Sequence, residues 1–132
     1  MTTYNETLKR AKQSAIDCLP ALPTQNTVAS WQDFIDAIEA IDSGDCAHEE
    51  ADSWDTVIYH YKAMELIQDC PSSVLHDAES QWRDCGDGTT EGIYELASAI
   101  AYWIVYGAVY EAIETARDEL LELAENQIEN MQ

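Results

Sequence analysis

Residues 96–110 read LASAIAYWIVYGAVY, fifteen positions without a charge between Glu95 and Glu111. A membrane span needs roughly 20 apolar residues, so this run reads as a helix buried inside a protein. Its helical spacing continues through EAIETARDELLELAENQIEN, residues 111–130. The whole pattern, from residue 89 to about 130, predicts one long helix of roughly 60 Å at 1.5 Å per residue. Gly107 either bends it or divides it in two.

Upstream of that stretch the apolar spacing is helical almost throughout. A first helix is expected over 4–18, ended by Pro20, followed by a loop at 20–29 with two prolines. Ser30 has the chemistry of an N-cap, with Asp33 at the acidic capping position, for a helix to about 42. Ser43-Gly44-Asp45 reads as a break, with a short helix at 47–52 after it. A β-rich stretch at 56–61 opens a segment, 56–68, that ends before Pro71. Ser72 or Ser73 can cap a helix to 83, and Cys85-Gly86-Asp87-Gly88 reads as a turn. No repeat and no dividing linker is visible. The expectation is one all-α domain over 1–132, with five or six helices and a long C-terminal one.

Acids outnumber bases by 26 to 6, a formal net charge of -20. Lys9, Arg10 and Lys12 lie near the start, and beyond them only Lys62, Arg83 and Arg117 carry positive charge. The chain is nonetheless 46% hydrophobic with four Trp and seven Tyr, too apolar for a disordered acidic tail. Direct binding to nucleic acid needs cations to neutralise phosphates, and anionic lipid would repel such a surface. The charge points to a basic protein partner. The N-terminus has no apolar signal core, and Cys18, Cys46, Cys70 and Cys85 form no CxxC pair. Both features suggest reduced thiols in a cytoplasmic protein.

The acids are patterned. With Glu114 at zero and 100° per residue, Glu125, Asp118, Glu129, Glu111 and Glu122 fall at about 20, 40, 60, 60 and 80°. From Glu111 to Glu129 this stripe covers roughly 27 Å, one carboxylate per turn. Leu120, Ile113, Ala124, Leu123 and Ile128 are expected on the other side. Like charges at such spacing cost a few tenths of a kcal/mol per pair, and negative charge near a helix C-terminus is also unfavourable. An ordinary solvated face mixes both signs, and this one does not. A second zone holds Asp33, Asp36, Glu39, Asp42, Asp45, Glu49, Glu50, Asp52 and Asp55, with no Lys or Arg among them.

Other chemistry finds little footing. His48 and Asp52 share a face at i, i+4, but the zinc-helix pattern needs a second histidine there. The stretch 84–91 lacks the register of a calcium loop. No nucleophile elbow, phosphate loop or dinucleotide fingerprint is present, so neither a catalytic residue, a metal nor a cofactor is assigned. Among the aromatics Tyr94, Tyr102, Trp103, Tyr106 and Tyr110, the trio Trp103, Tyr106 and Tyr110 forms a stripe able to meet a second copy in a homodimer.

Four segments carry a resemblance. They are Thr3-Tyr4-Asn5, Asp33-Phe34-Ile35-Asp36-Ala37-Ile38, Ala51-Asp52-Ser53 before an aromatic stretch, and Asp118-Glu119-Leu120-Leu121-Glu122-Leu123. In these and in their order the chain resembles the Ocr-type anti-restriction proteins of short-tailed bacteriophages, small acidic all-helical DNA mimics. The resemblance implies a homodimer whose carboxylates copy a bent duplex and occlude a type I restriction-modification enzyme. The chain differs in lacking a poly-acidic tail and in a longer stretch around 71–88. Other acidic phage inhibitors, anti-CRISPR proteins among them, use similar chemistry on other targets. A general acidic adaptor for a basic protein, a solvated halophilic surface and a small enzyme are the competing classes.

Overall fold

The computed structural model describes residues 3–57, 60–85 and 93–132, with side chains at 4–54, 63–84 and 96–132. The helices are α1 (Thr3–Asp17), α2 (Val28–Glu39), α3 (Ser43–Val57), α4 (His60–Asp69), α5 (Ser72–Cys85) and α6 (Ile93–Met131). No strand occurs among the described residues. The fold is all-α around a single axle. The 39 residues of α6 make a rod of about 58 Å, and each of the other five helices packs on it.

Sequence explains how five helices fit round one. The first half of α6 buries Ala97, Ile100, Ala101, Ile104, Val105 and Val109, which point to several sides of the helix. Its neighbours meet it largely through alanines: Ala11 and Ala15 on α1, Ala47 and Ala51 on α3, Ala63 on α4, Ala78 on α5. Small side chains let helix axes approach closely, so several rods can share one surface. α6 passes Gly107 as continuous helix, which settles the open question of a division there. By length and composition an 18-residue window of α6 would also qualify as a membrane span, at mean hydropathy 1.4. Core helices of globular proteins meet the same criterion, and 39% of that window is buried against the rest of the chain.

Side-chain contacts give the directions. Tyr4 and Leu8 of α1 line one groove together with Trp103 and Ile104, while Ile16 lines the next together with Ala112 and Ala116, so α1 runs parallel to α6. His48 meets Tyr102, and Gly44 lies near the Tyr106 hydroxyl, so α3 runs antiparallel. α2 buries Trp31, Phe34, Ile35 and Ile38 against Leu120, Leu121, Ala124, Ile128 and Met131 in a second, separate cluster. Arg117 Nε donates to the Ile38 carbonyl at 3.3 Å, fixing the end of α2 at that level. With α2 extending from there towards Met131, it too is antiparallel to α6. α2 and α3 therefore follow one another down the same flank.

Several boundaries differ from the sequence reading. α2 starts a turn early because Thr27, extended at φ -123° and ψ 155°, is the N-cap. Its hydroxyl accepts from the Ser30 amide at 3.1 Å and donates to the Ser30 hydroxyl at 2.8 Å. Asn26 accepts from Trp31 Nε1 at 2.8 Å and ties the preceding loop to the new helix. Ser43-Gly44-Asp45 is not a break but the first turn of α3. Asp42 caps it, accepting from the Asp45 amide at 3.1 Å, and the interruption falls at 40–42. The short helix expected at 47–52 is the middle of this 15-residue element. The β-rich stretch is shared between the end of α3 and the start of α4, with residues 58 and 59 outside the described set. Pro71, not a serine, precedes α5, its carbonyl accepting from the Leu75 amide at 3.0 Å. The expected turn at 85–88 and the helix start near 89 fall largely on residues 86–92, outside the described set.

Candidate partner-binding surface

The acidic residues occupy the outward faces of the antiparallel pair formed by α6 and the α2–α3 flank. On α2 the buried residues lie within about 60° of Ile38 on the helix wheel, whereas Asp33 and Asp36 lie about 140 and 160° away. Glu39 stands at the side, about 100° round. On α3, Asp45, Glu49 and Asp52 all lie at least about 140° from buried Ala47. All six of these carboxylates are exposed. Asp55 belongs to the same zone by sequence, but its side chain is outside the described set.

Two members of this zone have internal work. Asp42, though exposed, spends a carboxylate oxygen on its cap. Glu50 is half-buried and accepts from Trp54 Nε1 at 3.2 Å, so it leans towards the core rather than outward. Asp36 also accepts from Gln32 Nε2, at 3.3 Å along its own helix. The field of the row is felt at Cys46. Its thiol pKa is raised first by burial and then by the charges of Glu49, Asp42 and Asp45, with a smaller contribution from Cys18.

On α6, Glu111, Asp118, Glu122, Glu125 and Glu129 are exposed, in the single-sided order read from the sequence. Glu114 is half-buried and lies 3.6 Å from the Arg117 guanidinium, which also holds the α2 carbonyl. Arg117 is thus drawn towards the α2 end, where a cation complements the helix dipole. Leu123 corrects the expected apolar side. It is 39% exposed, because α2 covers Leu120, Ala124 and Ile128 and leaves Leu123 beyond its edge.

The relation between the two rows was not readable from either helix alone. The α6 residues under α2 centre about 110° round the wheel from the middle of the acidic stripe. Since the outer face of α2 points directly away from α6, the two rows look in directions roughly that far apart. They form a convex edge, with axes separated by roughly 8–10 Å as packed helices require.

The trio expected to meet a second copy is arranged differently from an open stripe. Trp103 and Tyr106 are half-buried, and Tyr110 is 41% exposed. Trp103 meets Tyr106 edge-on at 5.0 Å between centroids, and Tyr106 stacks on Tyr110 at 6.0 Å. His48 packs on Tyr106 at 4.5 Å, and its Nδ1 lies 2.6 Å from the Tyr102 hydroxyl. That bond engages the histidine within the protein. Among the described residues no group of three or more His, Cys, Asp or Glu is placed to hold a metal ion.

Sequence reasoning missed the concavity these aromatics help to build. A groove of about 700 Å³ opens between α1, α5 and α6, over Trp103, Tyr106, Gly107 and Tyr110. Tyr4, Lys12 and Asp77 complete it from two other helices, and no local pattern in the sequence links them. Comparisons of the chain with protein-family models, with curated proteins and with solved structures found no match.

Proposed function

We propose that this protein is a non-catalytic inhibitor that stands in for DNA and occupies the DNA-binding site of a host defence enzyme. A type I restriction-modification enzyme is the first candidate target, and a CRISPR effector is the second. The observation that carries the reading is the convex pair of acidic rows, set on antiparallel helices and built almost without cations. Duplex DNA presents one negative charge per roughly 1.7 Å of axis on a convex surface. Rows of carboxylates spaced by about one helical turn, roughly 5.4 Å, present a sparser field of the same sign along a convex edge. A protein that grips phosphates through Lys and Arg would meet carboxylates in their place.

In this reading Asp33, Asp36, Glu39, Asp45, Glu49, Asp52, Glu111, Asp118, Glu122, Glu125 and Glu129 act as phosphate surrogates. Asp42, Glu50 and Glu114 act chiefly in holding the scaffold. The complex forms in the cytoplasm of the host cell. If a second copy takes part, Tyr110 is the aromatic most available to it.

The test is competition. The protein should displace duplex DNA from such an enzyme at low salt, and the displacement should weaken steeply as salt rises. Failure to displace DNA from a panel of restriction and CRISPR effectors at low salt would overturn the reading. A general acidic adaptor carries the same charge without the geometry. For an adaptor, neutralising scattered acids such as Glu6, Asp17, Asp69 and Asp84 would weaken binding as much as neutralising an equal number in the rows. For a mimic the rows dominate.

A further inference from the structure

We infer that the groove over Gly107 is an anchor for one arginine side chain of the cationic partner. The inference rests on the reading above and names a recognition element within it. Three features point to a guanidinium. The groove is lined by Trp103, Tyr106 and Tyr110, and the electron-rich face of such a ring attracts a guanidinium stacked over it. Asp77 on α5 and Glu111 on α6 stand on its lining, both exposed, and a carboxylate is the matching bidentate acceptor. Glu111 is also the first carboxylate of the α6 stripe, so the groove opens at the head of the proposed interface. A chain laid along that stripe would reach it without changing course.

Gly107 keeps the space open. A Cβ built there meets no atom within 4 Å, so the glycine is not required by packing in the free protein. In mid-helix a glycine costs roughly 0.5–1 kcal/mol relative to alanine, so its presence runs against helix stability. Lys12 lines the same groove, but it also borders the neighbouring one, where Glu111 and Glu119 stand beside it. Acid remains in excess around the opening.

The test titrates the full chain with tetra-arginine and tetra-lysine peptides of equal charge at one low ionic strength. The arginine peptide should bind several-fold more tightly. Gly107→Leu, which fills the groove from an exposed helix position, should reduce the arginine peptide to the lysine level. Asp77→Asn with Glu111→Gln should do the same, while Glu122→Gln with Glu129→Gln should weaken both peptides alike. Thermal melts check that Gly107→Leu remains folded, and Gly107→Ala should leave the preference intact. Equal affinity for the two peptides, or a preference that survives Gly107→Leu, would overturn the inference. So would a homodimer in sedimentation that Gly107→Leu dissociates, because a second copy would then be the occupant. DNA displacement by the wild type reads the underlying function separately: its absence would sink the mimic and leave the arginine preference standing.

Discussion

The two halves of α6 belong to one unbroken helix and obey opposite rules. Between residues 96 and 110 the helix is apolar on nearly every side and is enclosed by α1, α3, α4 and α5. Beyond residue 111 it buries one side under α2 and turns carboxylates to water on another. The enclosed half makes the fold. The open half borrows its rigidity from that fold and uses it to hold like charges in a line, an arrangement an isolated helix would resist. The contrast teaches that the acidic face is affordable here because stability is supplied elsewhere along the same rod.

The sharpest way to break this contrast is to put one charge into each half. Ile104→Asp places a carboxylate at a position 1% exposed and should cost upwards of about 4 kcal/mol, enough to threaten a typical domain. Leu123→Asp, at a position 39% exposed, should cost only about 1–2 kcal/mol, from the partly buried leucine and the poorer helix propensity of aspartate. Urea midpoints and circular dichroism would read both. Similar costs at the two positions would show that the halves are not distinct.

A smaller effect is expected at the seam. Arg117→Met keeps the apolar stem but leaves the Ile38 carbonyl without its guanidinium donor, at a cost of about 1–2 kcal/mol. The loss should concentrate in α2, visible as faster amide exchange there than in α1 or α3. The smallest effect has the opposite sign. Asp118→Asn, Glu122→Gln and Glu125→Gln together should raise stability by a few tenths of a kcal/mol per relieved pair at low salt, and by less at high salt. The same triple variant should lose DNA displacement. That would separate function from folding on a single helix.

How much of this was legible follows the range of the interactions. α1 and α6 were readable because apolar spacing is local and because Pro20 marks a stop. The order of acids on α6 was readable for the same reason, since 100° per residue fixes who shares a face. The starts of α2 and α3 both differ from the sequence reading, because local signals for capping and breaking compete there. Thr27 and Ser30 are both capping residues, and Gly44 looks like a breaker until Asp42 is seen to cap the turn that contains it. Leu123 was misplaced because the wheel says which residues adjoin, not how wide a partner helix is. The convex edge and the groove were invisible, since each depends on where α1, α2 and α5 come to rest against α6.

The axle is also made after the five described helices that it gathers. While a ribosome extends the chain, α1 to α5 emerge with their alanine faces uncovered and with few partners among themselves. Their shared core arrives only with residues 93–131, tens of positions later in synthesis. Folding of this core must therefore wait until α6 itself has been made, and the nascent chain spends that interval dependent on its own charge to stay dispersed.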